Sequence, residues 1–207
     1  LRLPRPLGEI AKEQKLTEEE LHQKLAGLKK KLFDYRAKRE RPFLDTKVLT
    51  AWNGQMIAGY AKAGEVLKEP AYIEAARKNA EFILKNLRTK DGRLLRTYSV
   101  RGDGKAEAKL NGYLDDYAFL AHGMLNLYDA TGEKRWLDEA KALVDVVVKW
   151  HSDGDRGGFF YTSSDHEKLF ARPKDYYDGA QPSGNGVVLR DLVRIWRATK
   201  DETYRKL

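Results

Sequence analysis

Three stretches of the chain beyond Arg41 carry the same succession of apolar and polar positions, and they register when laid over one another. Each opens on small, polar or acidic residues, runs on as an apolar helix, breaks at a turn, and resumes with an aromatic residue near the start of a second helix. Trp52-Asn53-Gly54 leads into Met56, Ile57, Tyr60 and Ala61, then Lys68-Glu69-Pro70 turns the chain and Tyr72 follows. Asp115-Asp116 leads into Tyr117, Leu120, Met124 and Tyr128, then Thr131-Gly132-Glu133 turns and Trp136 follows. Ser183-Gly184-Asn185 leads into Val187, Val188, Leu192 and Ile195, then Thr199-Lys200-Asp201 turns and Tyr204 follows. The three aromatic residues stand 64 and 68 residues apart, which predicts helical hairpin repeats in an all-α fold. The second helices agree, since Tyr72, Ala76, Ala80, Ile83 and Leu87 share one face, as do Trp136, Ala140, Leu143, Val147 and Trp150. Pro70 suits a first helical turn, where its missing amide hydrogen costs nothing.

Short turns make the paired helices antiparallel, whereas the connections between hairpins, Arg88 to Gly112 and His151 to Pro182, are long. Loops beyond about 12 to 15 residues are usually functional when they are not disordered. Within them, Arg93 to Val100 and Gly158 to Thr162 alternate or are aromatic enough for short strands or hairpins. Both loops precede the first helix of a hairpin, so Trp52-Asn53, Asp115-Asp116 and Ser183 to Asn185 should share one end of the stack. Upstream, Thr17 and Glu20 make a capping-box signal, and Leu21, Leu25, Leu28, Leu32 and Tyr35 recur at helical steps. The pattern therefore divides the chain into a basic helical lead-in over 1–40 and a hairpin domain over 41–207.

Composition narrows the classes. With 207 residues and 42% hydrophobic content the chain can bury a real core. It has no apolar run of roughly 18 to 20 residues and no signal-like opening, so neither a membrane span nor secretion is expected. It has no cysteine, which removes disulfides and thiolate sites and favours a reducing, cytoplasmic setting. A net charge of +8 invites a nucleic-acid reading, but Lys29-Lys30-Lys31, Arg36, Lys38, Arg39 and Arg41 fall largely on the solvated faces of one helix. No nucleic-acid partner is expected. The four histidines do not pair at metal-ligand spacing, Gly102 to Lys105 is too short for a phosphate loop, and Pro182 to Gly186 is no nucleophile elbow. No metal or cofactor is expected. The chain opens on Leu1 and reads as a piece of a longer protein.

Four segments, Leu44 to Ile57 (LDTKVLTAWNGQMI), Leu110 to Leu120 (LNGYLDDYAFL), Gly157 to Asp165 (GGFFYTSSD) and Arg172 to Gly186 (RPKDYYDGAQPSGNG), together resemble the C-terminal region of the spermatogenesis-associated protein 20 family. Over this region that family is similar to six-hairpin glycosidases and N-acylglucosamine 2-epimerase-type enzymes. The resemblance covers Arg41 to Leu207. It implies an (α/α)6 toroid of which three hairpins supply about half, and partners in the missing thioredoxin-like domain and remaining hairpins. A half toroid leaves apolar faces on its end hairpins, so self-association of the fragment is a further expectation.

A sugar ring offers hydroxyls and one apolar face, so its sites combine aromatic platforms with amides and carboxylates, and glycoside cleavage needs two acidic groups. The candidate acids are Asp115, Asp116 and a third from the 172–186 segment, Asp178, with Asp175 its alternative. At a helix start the dipole and free amides are expected to lower the pKa of Asp115 and Asp116, favouring a base or nucleophile. Consecutive helical residues point about 100° apart, so one of the two, with Asp115 preferred, faces the cavity while the other caps backbone. Trp52 and Tyr113 are candidate platforms, and Asn53, Gln181, Ser183 and Asn185 candidate hydroxyl readers. The same asparagines and Ser183 equally suit helix capping. Arg172 and Lys174 either grip an anionic group or pair with Asp175 and Asp178 in their own loop, and Tyr177 joins them as a ligand contact. The ligand expected is a sugar or sugar-like molecule, handled by a hydrolase or epimerase-type site or bound without catalysis.

Overall fold

Every hairpin turn is made with the same backbone device. The computed structural model describes residues 5–167 and 170–207, in two compact units, Leu1–Asp45 and Thr46–Leu207. In the second unit, helices α3 (Thr50–Leu67), α5 (Leu114–Thr131) and α7 (Gly184–Thr199) each end in a left-handed residue: Lys68 at φ 55°, Gly132 at φ 70° and Lys200 at φ 60°. An acidic residue follows each time, and the chain re-enters helix as α4 (Pro70–Asn86), α6 (Lys134–His151) or α8 (Thr203–Lys206). Thr131 and Thr199 repeat one pattern, bonding back to the carbonyl four residues earlier (Leu127, Ile195) while accepting from the amide two residues on (Glu133, Asp201).

The core lies between the helices. Ile57, Ala61, Leu120, Met124, Trp136, Val147, Val188 and Ile195 are all buried, and each outer helix turns its small-residue face inward at Ala76, Ala80 and Ala140. Helices α3 and α5 meet backbone to backbone at Gly54 and Gly123. A Cβ at Gly54 would lie 2.5 Å from the amide nitrogen of Leu120, and one at Gly123 would lie 2.8 Å from the carbonyl of Gly54. Tyr72, expected on the inner face of α4, is instead partly exposed and packs edge-on against Tyr60.

The first long loop forms the expected hairpin. Strands β2 (Leu95–Val100) and β3 (Ala106–Asn111) pair antiparallel, from Leu95 opposite Asn111 to Val100 opposite Ala106, and β1 (Val48–Leu49) adds on the other side of β2. Gly102 to Lys105 is its turn, with Gly104 at φ 79°. The second loop differs from expectation: Gly158 to Thr162 is not a strand, apart from a bridge between Ser152 and Phe159. Its backbone groups find other partners, the Phe159 amide on the Asn185 side chain, the Phe160 amide on the His151 carbonyl and the Tyr161 amide on the Pro173 carbonyl.

The first unit holds α1 (Leu7–Glu13) and α2 (Glu18–Ala37). Thr17 and Glu20 form the capping box, with the Glu20 amide donating to Thr17 Oγ1 and the Thr17 amide to Glu20 Oε2. Leu21 is buried, but Leu28, Leu32 and Tyr35, on the apolar stripe read from the sequence, are all more than half exposed.

Candidate functional site

Two adjacent carboxylates at the start of α5 have unlike surroundings. Asp116 is fully buried, and both its oxygens accept backbone hydrogen bonds, Oδ1 from the Ala51 amide in the first turn of α3 and Oδ2 from the Tyr113 amide, each at 2.9 Å. It therefore staples α3 to α5. Asp115 is half-buried and turns the other way, toward α7, where Gln181 Nε2 donates to its Oδ2 at 3.2 Å. A Cβ at Gly184 would come within 2.5 Å of Asp115 Oδ1, so the glycine opening α7 makes room for this carboxylate.

The helix-dipole expectation for these acids is corrected. Burial pushes Asp116 up to about 6, against two amide donors and Arg96. Burial also raises Asp115, with repulsion from Asp175 adding to it and Arg96 and Gln181 opposing. Removing the charge from water outweighs the favourable helix terminus. A carboxyl held up in this way suits proton donation better than nucleophilic attack.

Aromatic and guanidinium groups face Asp115. Tyr113 stacks on Tyr161 with ring centroids 5.0 Å apart, and the Arg96 guanidinium lies 4.8 Å from the Tyr113 ring centre. Arg96 also approaches Asp116 Oδ2 at 3.5 Å. The Tyr161 hydroxyl is raised by burial and then by the charge of Asp115, which puts that hydroxyl in the field of the carboxylate. Tyr161 is held there because its carbonyl accepts from the Leu114 amide at the head of α5. Trp52, in the first turn of α3, stands 64% exposed, free of the core.

Most other polar candidates are committed to the chain itself. Asn185 is buried and uses its whole amide, Oδ1 accepting from the Phe159 amide and Nδ2 donating to the carbonyls of Phe159 and Asp175. Ser183 caps α7 by accepting from the Gly186 amide, and Asp178 accepts from the Ser183 amide at 2.8 Å. Asn53 donates to the Leu49 carbonyl and accepts from Asn79. Arg172 and Lys174 flank the Phe160 ring at 4.2 and 5.0 Å from its centre. Arg172 donates to the Thr162 carbonyl, while Lys174 pairs with Asp153 and donates to the Gly157 carbonyl, so neither bonds to Asp175 or Asp178. Tyr177 is strongly exposed.

The structure thus gathers Asp115, Gln181 and Tyr113, and adds Arg96 and Tyr161, which sequence reasoning missed. Their signal was present in the two loop segments read as strands, where an arginine and a tyrosine interrupt apolar residues. The two loops are joined by Arg93, which makes a two-pronged pair with Asp165 at 2.7 and 3.0 Å and lies 4.7 Å from the Trp150 ring centre. Among the described residues no cluster of three or more His, Asp or Glu is arranged to hold a metal, and no helix is long and apolar enough to cross a membrane.

No family model matches the chain. It is 39% identical over 175 residues to spermatogenesis-associated protein 20 of Homo sapiens, covering 82% of this chain and 22% of that protein. It is 30% identical over 203 residues to an uncharacterized protein of Caenorhabditis elegans, covering 96% of this chain and 27% of that one. The chain thus spans roughly a fifth to a quarter of these relatives. Among solved structures it resembles the cellobiose 2-epimerase of Spirochaeta thermophila (TM-score 0.59, 18% identity, 77% of this chain and 41% of that one). It also resembles a family 76 glycoside hydrolase, a mannosidase, of Bacteroides thetaiotaomicron (0.58, 21%, 81% and 43%) and an unsaturated glucuronyl hydrolase specific for heparin (0.63, 18%, 81% and 46%). The fold is therefore that of helical hairpin toroids, and the chain supplies about half of one.

Proposed function

Because this chain belongs to the spermatogenesis-associated protein 20 family and shares the hairpin-toroid fold of sugar epimerases and glycoside hydrolases, we propose that the loop end of its helices carries a carbohydrate site centred on Asp115. The observation that supports this reading is the raised, half-buried Asp115 carboxyl facing Arg96, Tyr161 and Gln181, with the stacked Tyr113 and the exposed Trp52 at the same helix ends. In this reading Asp115 holds the proton to be delivered to a leaving or enolising oxygen. Asp175, exposed and close enough to raise Asp115, is the second acid of this reading, and Asp178 is the less suitable one because it braces the α7 cap. Asp116 serves by holding α3 and α5 in register. Gln181 and Arg96 orient hydroxyls, while Tyr113 and Trp52 offer flat apolar surfaces. The ligand class is a neutral or lightly substituted saccharide, and the rest of the cavity comes from further hairpins of the longer protein.

The test is a saccharide panel on the full-length protein, read by thermal shift and by product formation. Asp115→Asn is expected to retain binding and lower turnover by about 100-fold or more, the range for loss of a general acid. A panel in which no saccharide shifts the melting point, or an Asp115→Asn variant with unchanged turnover, overturns the assignment.

A second reading, a helical domain that binds a partner without catalysis, is favoured by one feature. Trp52 and Met56 on α3, and Leu189 and Val193 on α7, expose apolar side chains at the two flanks of the hairpin array. These are the faces that further hairpins or a thioredoxin-like domain of the same protein would cover.

A further inference from the structure

Seven residues beyond Asp115, on the same stripe of α5 and roughly 10 Å further along it, His122 meets α7 in a cluster that the proposed carbohydrate site does not use. Its Nδ1 lies 2.9 Å from Asp191 Oδ1 and 3.0 Å from Arg194 Nη1, and its Nε2 lies 3.1 Å from Arg190 Nη2. Arg194 also donates to Asp129 Oδ2 at 2.7 Å. Asp191 is fully buried, yet its Oδ2 has no hydrogen-bond partner among the described residues.

The donors and acceptors of the cluster are poorly matched. A guanidinium only donates, so the Nε2 that meets Arg190 must accept, which leaves the ring proton on Nδ1 for Asp191. Arg194 Nη1 then brings a second donor to that same protonated nitrogen. Arg190, exposed, has no other hydrogen bond among the described residues and makes do with a neutral ring nitrogen. A guanidinium prefers a two-pronged bond to an oxyanion, which is shorter and about twice as strong. A buried carboxylate with an empty oxygen is also a costly way to pin two helices that already pack through Val188, Leu192 and Leu125. His122 is only about one-fifth exposed and Asp191 not at all, whereas Arg190 is exposed, so a ligand can reach the ring beside Arg190.

We propose that Arg190, with His122 and Arg194, binds an oxyanion, the carboxylate or phosphate of a small-molecule ligand, on the α5–α7 wall. The oxyanion takes Arg190 from the imidazole, supplies the missing acceptor to Arg194, and frees His122 Nε2, while Asp191 holds the ring in place. This site rests on α5 and α7 alone and stands whether or not Asp115 handles sugar. If one ligand fills both places, it is an acidic or phosphorylated saccharide rather than a neutral one.

Calorimetry and nitrogen NMR of the histidine rings in the full-length protein test this with inorganic phosphate, glucuronate and glucose 6-phosphate, and with glucose as the neutral control. At least one oxyanion is expected to bind and to shift the His122 ring resonances, and Arg190→Gln to weaken that binding by about tenfold or more. Among the described residues Arg190 hydrogen-bonds only to the ring nitrogen, so the variant should fold with a nearly unchanged melting point, which a mere helix pin would also allow. Affinity and the ring shift separate the two roles. If none of the three oxyanions binds at millimolar concentration, or if Arg190→Gln binds them as tightly as the parent, the site does not exist. Phosphate without glucuronate marks a phosphate site, and glucuronate without phosphate a carboxylate site, either of which upholds the proposal. A response to inorganic phosphate with none to any of the three saccharides upholds this site and counts against the Asp115 reading alone.

Discussion

Two buried groups near the loop end carry opposite pH dependences. His151 is fully buried, donates through Nδ1 to the Phe160 carbonyl and meets the edge of Tyr117, and burial pushes it down to about 4. Between that value and its ordinary 6.5 the unfolded chain binds the proton and the folded chain does not, so the contribution is complete above about pH 6.5 and is lost as pH falls toward 4. Asp116, raised to about 6, behaves the other way. The folded chain holds its proton where the unfolded chain has released it, so its contribution is fullest below about pH 4 and falls as pH rises to 6. At 1.36 kcal/mol per unit each amounts to about 3 kcal/mol, and the two nearly cancel between pH 4 and 6. His151→Gln should unmask a stability that declines from pH 4 to 6, and Asp116→Asn one that rises, with urea midpoints at pH 4, 5 and 6 as the measurement. A flat profile in His151→Gln would mean that Asp116 does not keep its proton on folding. Asp116→Asn should also cost about 1–3 kcal/mol at its best pH, because an amide that faces Ala51 with its oxygen turns a second donor on the Tyr113 amide.

At the scale of elements, the turn is where residue choice departs most from backbone need. Gly132 takes its left-handed conformation at no steric cost, whereas Lys68 and Lys200 carry a Cβ into the same region. Lys68→Gly is expected to stabilise by about 0.5–1 kcal/mol, and Gly132→Ala to destabilise by about 1–2 kcal/mol although nothing crowds its Cβ. Lys200→Gly should gain less, since the lysine lies over the Trp196 ring. Thermal melting of the three variants checks the order. The repeat itself was legible in the sequence because apolar helical periods and turn residues are local signals that recur at matching places. The site was only partly so. An aspartate, serine or asparagine at a helix start reads equally as cap and as ligand, and only neighbouring backbone decides: Ala51 claims Asp116, Phe159 claims Asn185, and Gly184 leaves Asp115 room. Arg96 and Tyr161 lie far apart in sequence and meet through the β2–β3 hairpin and the Phe159–Tyr161 crossing, which no periodicity encodes.

Across the whole molecule, the inner helices α3, α5 and α7 form a wall whose loop end carries the Asp115 group and whose middle carries the His122 cluster, while apolar residues remain exposed on α3 and α7 at either flank. The close approach at Gly54 and Gly123 sets the spacing between the first two helices of that wall, and Asp116 sets their axial register. The Arg93–Asp165 pair ties the two loops above it across a separation of 72 residues. Hairpins of this kind join neighbours in sequence and close early, whereas a contact across 72 residues must wait for two hairpins to dock. The clasp therefore belongs to the last stage of folding and acts as a brake on the first stage of unfolding. In a stopped-flow chevron, Asp165→Asn should raise the unfolding rate and leave the folding rate nearly unchanged, and a folding limb slowed in proportion would place the clasp in the nucleus instead. By that kinetic route a single ion pair sets how long the loop end stays assembled.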